Sequence, residues 1–209
     1  AEIHRVLQRL MNWPDQRRVL RKLNRLLERK GLTNLTTAAT LTYYPPSRSL
    51  SFSYAGHPPA WYFDRSDDQW RRLELSRSDT DEFIDGALAI TPAARFTRSS
   101  IKVEPGDQVV LVTDGVLETP GATGELFGDG SVEAVLAAHR GEAPGRVADA
   151  LLDALRSHGG SDALDHDDVT FLIVEVTDPP AGPAVWHVLR NRVLRPIGLV
   201  SDEQPNGEE

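Results

Sequence analysis

The apolar run "VVLV" at 109–112 drives straight into "TDG" at 113–115, and Glu118 follows four residues after Asp114. An aspartate at a strand end is held by rigid backbone while its carboxylate emerges at the sheet edge, a placement that suits a metal ligand or a catalytic group. Gly115 next to it reads as the residue that permits an immediate bend. A second acidic stretch, "SDALDHDD", sets Asp162, Asp165, Asp167 and Asp168 just before the apolar run "VTFLIV". Carboxylates this crowded repel one another, and a hard divalent cation such as Mg²⁺ or Mn²⁺ turns that repulsion into binding. Each stretch alone also has a plain reading, a common Asp-Gly turn and a solvated acidic loop. The pairing of the two is what favours a metal.

Other chemistries find little support. There is no Walker lysine, nucleophile elbow or Ser-x-x-Lys motif, so a metal-activated water is what the residues leave open. His57 in "YAGHPPAW" suits a ligand, a proton shuttle or a structural hydrogen-bond partner, and with no second His or Glu at metal spacing the structural role is preferred. A phosphoacceptor receiver domain would need a lysine at a later strand end, yet Lys22, Lys30 and Lys102 all precede Asp114.

The elements that must hold these residues can be read from periodicity. Val19, Leu20, Leu23, Leu26 and Leu27 repeat at helical spacing after an earlier stripe from Ile3 to Met11. From Leu35 the texture turns to β-branched and aromatic residues, with "LTTAATLTYY" and "LSFSYAG" flanking "PPSRS", and "AWYF" and "WRRLEL" flanking "DRSDDQ". Two more strands hinge on Pro105 and Gly106, two helical segments follow Gly130, and a last strand follows the acidic cluster. Helices, strands, helices and a strand in that order predict an α+β fold with antiparallel sheets rather than βαβ units. The boundaries expected are a main domain over 1–177 and a linker with a C-terminal tail over 178–209, whose apolar residues between Val185 and Val200 are expected to dock on the domain or on a partner.

Composition narrows the class further. The 209 residues contain no cysteine, which excludes thiolate metal sites and fits a cytoplasmic protein. No apolar run approaches the ~18 residues that span a bilayer, so no membrane association is expected. The net charge of -8 argues against nucleic acid as a partner. That charge is uneven: residues 1–30 carry a net +6 and the remainder -14.

The succession "LNRLLERKGLTNLTTAATLTYYPPSRSLSFSYAGHPPAW", "GALAI", "VEPGDQVVLVTDGVLETPGATGELFG" and "DHDDVTFLIV" resembles the SpoIIE-like, sigma-factor-regulating branch of the bacterial protein phosphatase 2C superfamily. The resemblance runs from about Asn24 to Val176. It implies two antiparallel β-sheets sandwiched between helices and a centre of two Mn²⁺ or Mg²⁺ ions that hydrolyses phosphoserine or phosphothreonine. It also implies that Asp114 and Asp167 are metal ligands, with Gly115, Glu118, His57 and Asp168 in supporting or structural places. The implied partner is a phosphorylated regulatory protein such as an anti-sigma-factor antagonist. Family members carry a further Gly-Asp segment and an Asp-x-Ser-Gly-His-Gly stretch upstream, and neither occurs in these residues. The N-terminal strands that hold them are therefore expected to be missing here. On that reading the chain alone binds Mn²⁺ weakly, turns over little and self-associates; the alternative is an inactive phosphatase-like module that binds a phosphoprotein.

Overall fold

The computed structural model describes residues 15–29, 36–76, 84–160 and 168–178. The chain divides into two compact units, Ala1–Thr177 and Asp178–Glu209, and the elements below belong to the first. The stripe from Ile3 to Met11 and the apolar tail segment lie outside the described residues. No described helix is long and apolar enough to cross a membrane.

Among the described residues, seven strands form two antiparallel sheets. The first has the order β1-β2-β5, built from β1 (Ala38–Tyr44), β2 (Ser49–Ala55) and β5 (Ser99–Lys102). The second has the order β4-β3-β6-β7, from β3 (Trp61–Asp64), β4 (Gln69–Arg72), β6 (Gln108–Val112) and β7 (Phe171–Glu175). The sequence "SLSFSYA" explains how the sheets stack. Its period of two sends Leu50, Phe52 and Tyr54 to the inner face, where they pack with Tyr62, Val103 and Val109. Ser51 and Ser53 take the other face, and buried hydroxyls need partners there. Ser53 Oγ donates to the Thr97 carbonyl at 2.5 Å, and Ser51 Oγ accepts from Arg98 at 2.8 Å.

Helices close both outer faces. Helix α1 (Gln16–Arg29) buries Val19, Leu20, Leu23 and Leu27 against Ala55, Leu88, Ala94 and Phe96, while its arginines lie exposed on the opposite side. After a short helix α2 (Asp114–Leu117), helices α3 (Gly128–Ala138) and α4 (Pro144–Gly159) lay Val132, Leu136, Val147, Leu151 and Leu155 over Trp61, Val110 and Val112. The result is a helix–sheet–sheet–helix sandwich. "SLSFSYA" is buried along almost its whole length, and the large exposed apolar residues of the edge strands are instead Tyr43 and Tyr44 on β1 and Leu172 and Val174 on β7.

Two buried polar residues fix loops that periodicity leaves undefined. Asp107, 2% exposed, accepts from Tyr62 Oη at 2.6 Å and from the backbone N–H groups of Glu104 and Arg65 at 2.8 and 3.0 Å. Burial first, and then the hydrogen bond to Asp107, raise the Tyr62 pKa well above the ordinary tyrosine range, which keeps the phenol a donor. Asn24 stands within the apolar stripe of α1 and is 1% exposed; its amide donates to the Thr91 carbonyl at 2.9 Å and accepts from Ala89 N–H at 2.8 Å. Replacing it with alanine strands both loop groups, and a loss of about 1–3 kcal/mol is expected in urea denaturation. An unchanged midpoint would show that the loop does not depend on this clamp.

Candidate metal centre

Strand register determines which loops meet. Trp61, at the start of β3, lies opposite Val110, and Val112, at the end of β6, lies opposite Phe171, at the start of β7. The turn 56–60 before β3, the segment 113–115 after β6 and the segment 168–170 before β7 therefore share one end of the second sheet. The first sheet joins them there, because β2 ends at Ala55 and leads directly into the 56–60 turn. The loop 86–90 is drawn in as well: Gly56 N–H donates to the Asp85 carbonyl at 2.8 Å, and Leu88 N–H to the Thr36 carbonyl at 2.8 Å. Gly56 has φ +65°, and a Cβ there would stand 2.8 Å from the Ala87 backbone. Four stretches far apart in sequence thus converge on a single end of the sandwich.

Asp114 sits where β6 passes into α2, and its side chain is exposed. Its Oδ1 accepts from the Gly115 N–H at 3.1 Å, and among the described residues Oδ2 accepts no hydrogen bond. Thr113 fixes this strand end against the segment that begins β7. Its N–H donates to the Thr170 carbonyl at 2.9 Å, its hydroxyl lies 3.2 Å from the carbonyls of both Asp168 and Thr170, and its Oγ1 accepts from Thr170 N–H at 3.1 Å. The Asp114 strand end is thereby held beside Asp168 and Thr170, Asp168 being the one residue of the second acidic stretch that is described.

Gly115 earns its place by space rather than by a bend. It is helical and its φ is not positive, so its conformation suits any residue. A Cβ there, however, would lie 2.6 Å from the Asp168 carbonyl oxygen. Only a residue without a side chain lets the Asp168 backbone come this close.

The remaining residues singled out in the sequence fall around this end. Asp168 is exposed, and its backbone is the part that packs on Gly115. Glu118 is exposed at the C-terminus of α2, and its N–H donates to the Asp114 carbonyl at 2.7 Å. His57 lies in the 56–60 turn with Nδ1 2.8 Å from the Pro58 carbonyl, and since a carbonyl only accepts, that contact has Nδ1 as the donor. Asp167, with Asp162 and Asp165, lies outside the described residues. Among the described residues no three His, Asp or Glu side chains gather as a metal-binding group. The donor set that is described, carboxylate oxygen on a rigid strand end, is the kind a hard divalent ion takes.

Sequence reasoning alone missed Asp85. It is 4% exposed with φ +63°, and its Oδ1 accepts from Thr97 N–H at 2.6 Å while its carbonyl holds Gly56. The one available signal was Asp-Gly at 85–86, which marks a turn without saying that it is buried.

Comparison with known proteins agrees with this fold. The family model described as Stage II sporulation protein E (SpoIIE) matches residues 2–177. Protein IcfG of Synechocystis sp. (strain ATCC 27184 / PCC 6803 / Kazusa) is 29% identical over 127 residues, which cover 60% of this chain and 18% of IcfG. The chain therefore spans under a fifth of the curated relative it matches. The phosphatase domain of SpoIIE from Bacillus subtilis (Mn presoaked) superposes with a TM-score of 0.60 at 17% identity, covering 89% of this chain and 75% of that one. The RsbU and RsbW domains of Rv1364c from Mycobacterium tuberculosis give 0.62 at 22% identity, covering 94% and 54%. At these identities the superpositions speak for the fold.

Proposed function

The chain belongs to the SpoIIE family, and from that premise we propose that it is a Mn²⁺- or Mg²⁺-dependent protein serine/threonine phosphatase domain acting on a phosphorylated regulatory protein, an anti-sigma-factor antagonist being the class that fits. The observation that carries the proposal is the convergence of the 56–60 turn, the 86–90 loop, the Asp114 strand end and the start of β7 on one end of the sandwich. That is where a family of metal-dependent phosphatases would assemble its centre.

In this reading Asp114 and Asp167 hold the metal, two ions being the complement of a complete domain. When bound, such ions polarise phosphoryl oxygens and make water a nucleophile near neutral pH. The chain's own residues do the positioning. Thr113 locks the Asp114 strand end to residues 168–170, and Gly115 lets the Asp168 backbone approach, so the carboxylates stay fixed while substrate binds. The expected order of effects on Mn²⁺ affinity is Asp114→Asn and Asp167→Asn large, Asp168→Asn small, because neighbouring side chains on an extended segment point to opposite faces. Equal losses at Asp167 and Asp168 would contradict the ligand assignment.

The function itself is tested by release of inorganic phosphate from a serine-phosphorylated anti-sigma-factor antagonist. Release should require Mn²⁺ or Mg²⁺, stop on chelation and be lost in Asp114→Asn. Release that ignores the metal would overturn the proposal. Tight binding of the phosphoprotein with no metal-dependent release would support a non-catalytic binding module instead.

A further inference from the structure

Helix α1 has a second face that its packing leaves open. It buries Val19, Leu20, Leu23 and Leu27, and it turns Arg17, Arg18, Arg21, Lys22, Arg25 and Arg29 outward, all of them exposed. Arg17, Arg21, Arg25 and Arg29 stand four residues apart. They therefore form one ridge along the helix, about 18 Å from end to end with neighbours roughly 6 Å apart.

Such a ridge works against the helix that carries it. Like charges at i,i+4 destabilise a helix, and Arg17 and Arg18 occupy the first turn, where the helix dipole favours acidic side chains. Compensation is confined to that first turn. Asp15 accepts from Arg17 Nε and Nη2 at 3.0 and 3.2 Å and lies 3.7 Å from Arg18. Among the described residues no carboxylate pairs with Arg21, Arg25 or Arg29; Arg21 Nε donates to the Arg17 carbonyl at 3.3 Å instead. The helix carries six basic residues against Glu28, a net +5, while the chain beyond residue 30 is at -14.

This contrast decides what fits the ridge. A membrane surface or a nucleic acid duplex is an extended polyanion that meets the acidic remainder of the chain as well as α1, and the remainder repels it. The apolar stripe of α1 is buried in its own domain, so the helix has no face left to insert into lipid. An acidic helix is narrow enough to meet the ridge alone. Guanidinium forks pair with carboxylates two bonds at a time, and a helix with Asp or Glu at every fourth position presents a ridge of the same pitch.

We propose that the arginine ridge of α1 is a docking surface for an acidic helix of a partner protein, one with Asp or Glu at four-residue spacing. None of the proposed metal ligands takes part. The surface therefore stands or falls independently of the metal centre.

The probes are alanine-rich peptides of about 20 residues, long enough to be helical, titrated into the full chain at about 0.05 M salt. One has glutamate at every fourth position, its twin has glutamine there, and a third has the same glutamates grouped at one end. The spaced peptide should bind at about 1 mM or tighter, the glutamine twin at least about tenfold more weakly and the grouped peptide roughly threefold or more weakly. The double substitution Arg21→Glu with Arg25→Glu changes exposed residues and keeps good helix formers, so α1 should stay folded by circular dichroism. It should weaken the spaced peptide by roughly tenfold or more. Arg156→Glu, an exposed arginine on α4, makes a control for net charge and should leave binding within about twofold. The proposal is overturned if the spaced peptide gives no saturable binding to about 10 mM, if the glutamine twin or the grouped peptide binds as well, or if the folded double variant binds as the parent does. It is also overturned if vesicles with about 30% phosphatidylserine, or duplex DNA, bind more tightly than the peptide and lose that binding in the double variant.

Discussion

Asp107→Ala is expected to cost about 2–4 kcal/mol of stability, because it strands one buried donor, Tyr62 Oη, at about 1–3 kcal/mol, and two part-buried backbone N–H groups at less each. Tyr62 Oη, Arg65 N–H and Glu104 N–H all donate to this carboxylate, which is itself 2% exposed. Asp107→Asn should cost less than Asp107→Ala. Oδ2 accepts from Tyr62 and Glu104 and Oδ1 from Arg65. An amide oxygen can take the first pair and lose only the last. Urea denaturation followed by circular dichroism reads the series, and a loss under about 1 kcal/mol for Asp107→Ala would mean that the turn finds other acceptors. The folded fraction should still bind Mn²⁺ as before. Asp107 precedes β6 and Asp114 follows it, so one strand separates a structural aspartate from the proposed ligand.

Gly115→Ala is the second large effect. The new methyl would lie 2.6 Å from the Asp168 carbonyl oxygen and 3.1 Å from its carbon, and both are backbone atoms that cannot rotate away. Overpacking of this kind costs about 1–3 kcal/mol. Relief requires residues 168–170 to withdraw from Thr113, so Mn²⁺ affinity should fall with stability, by roughly tenfold or more. Gly130→Ala is the matched control: it lies in α3, has no positive φ, and a Cβ there meets nothing within 4 Å. It should leave metal binding alone and stabilise the helix by up to about 1 kcal/mol. If Gly115→Ala behaves like Gly130→Ala, the close approach of the Asp168 backbone is not what glycine is there for.

Much of the sandwich was legible because its strands are amphipathic in a regular way. "LSFSY" announces alternate burial on two faces, and "VVLV" with "FLIV" announces strands covered on at least one side. The helices were legible from their apolar stripes, though α3 begins at Gly128, three residues earlier than a helix following Gly130. What escaped were polar residues whose importance lies in tertiary contacts. Asn24 looks like an interruption of a leucine stripe, and only the loop 65 and 67 residues away shows why an amide belongs there. Asp107 reads as part of a Pro-Gly-Asp turn, and its buried role depends on Tyr62, 45 residues earlier. Gly115 was read from its dipeptide as a conformational need, whereas the need is set by a backbone 53 positions later. Local pattern carries the elements; it does not carry which atoms the elements bring together.

The central claim is that the strand end at Asp114 binds a divalent cation, and Mn²⁺ calorimetry on the parent chain and Asp114→Asn tests it most directly. The substitution keeps size and hydrogen bonding at an exposed side chain, so the melting temperature without metal should not change. Mn²⁺ affinity should drop by roughly tenfold or more, and the thermal stabilisation that Mn²⁺ gives the parent should shrink with it. If Asp114→Asn binds Mn²⁺ as tightly as the parent and is stabilised by it equally, the metal is held elsewhere and the assignment of this strand end is wrong.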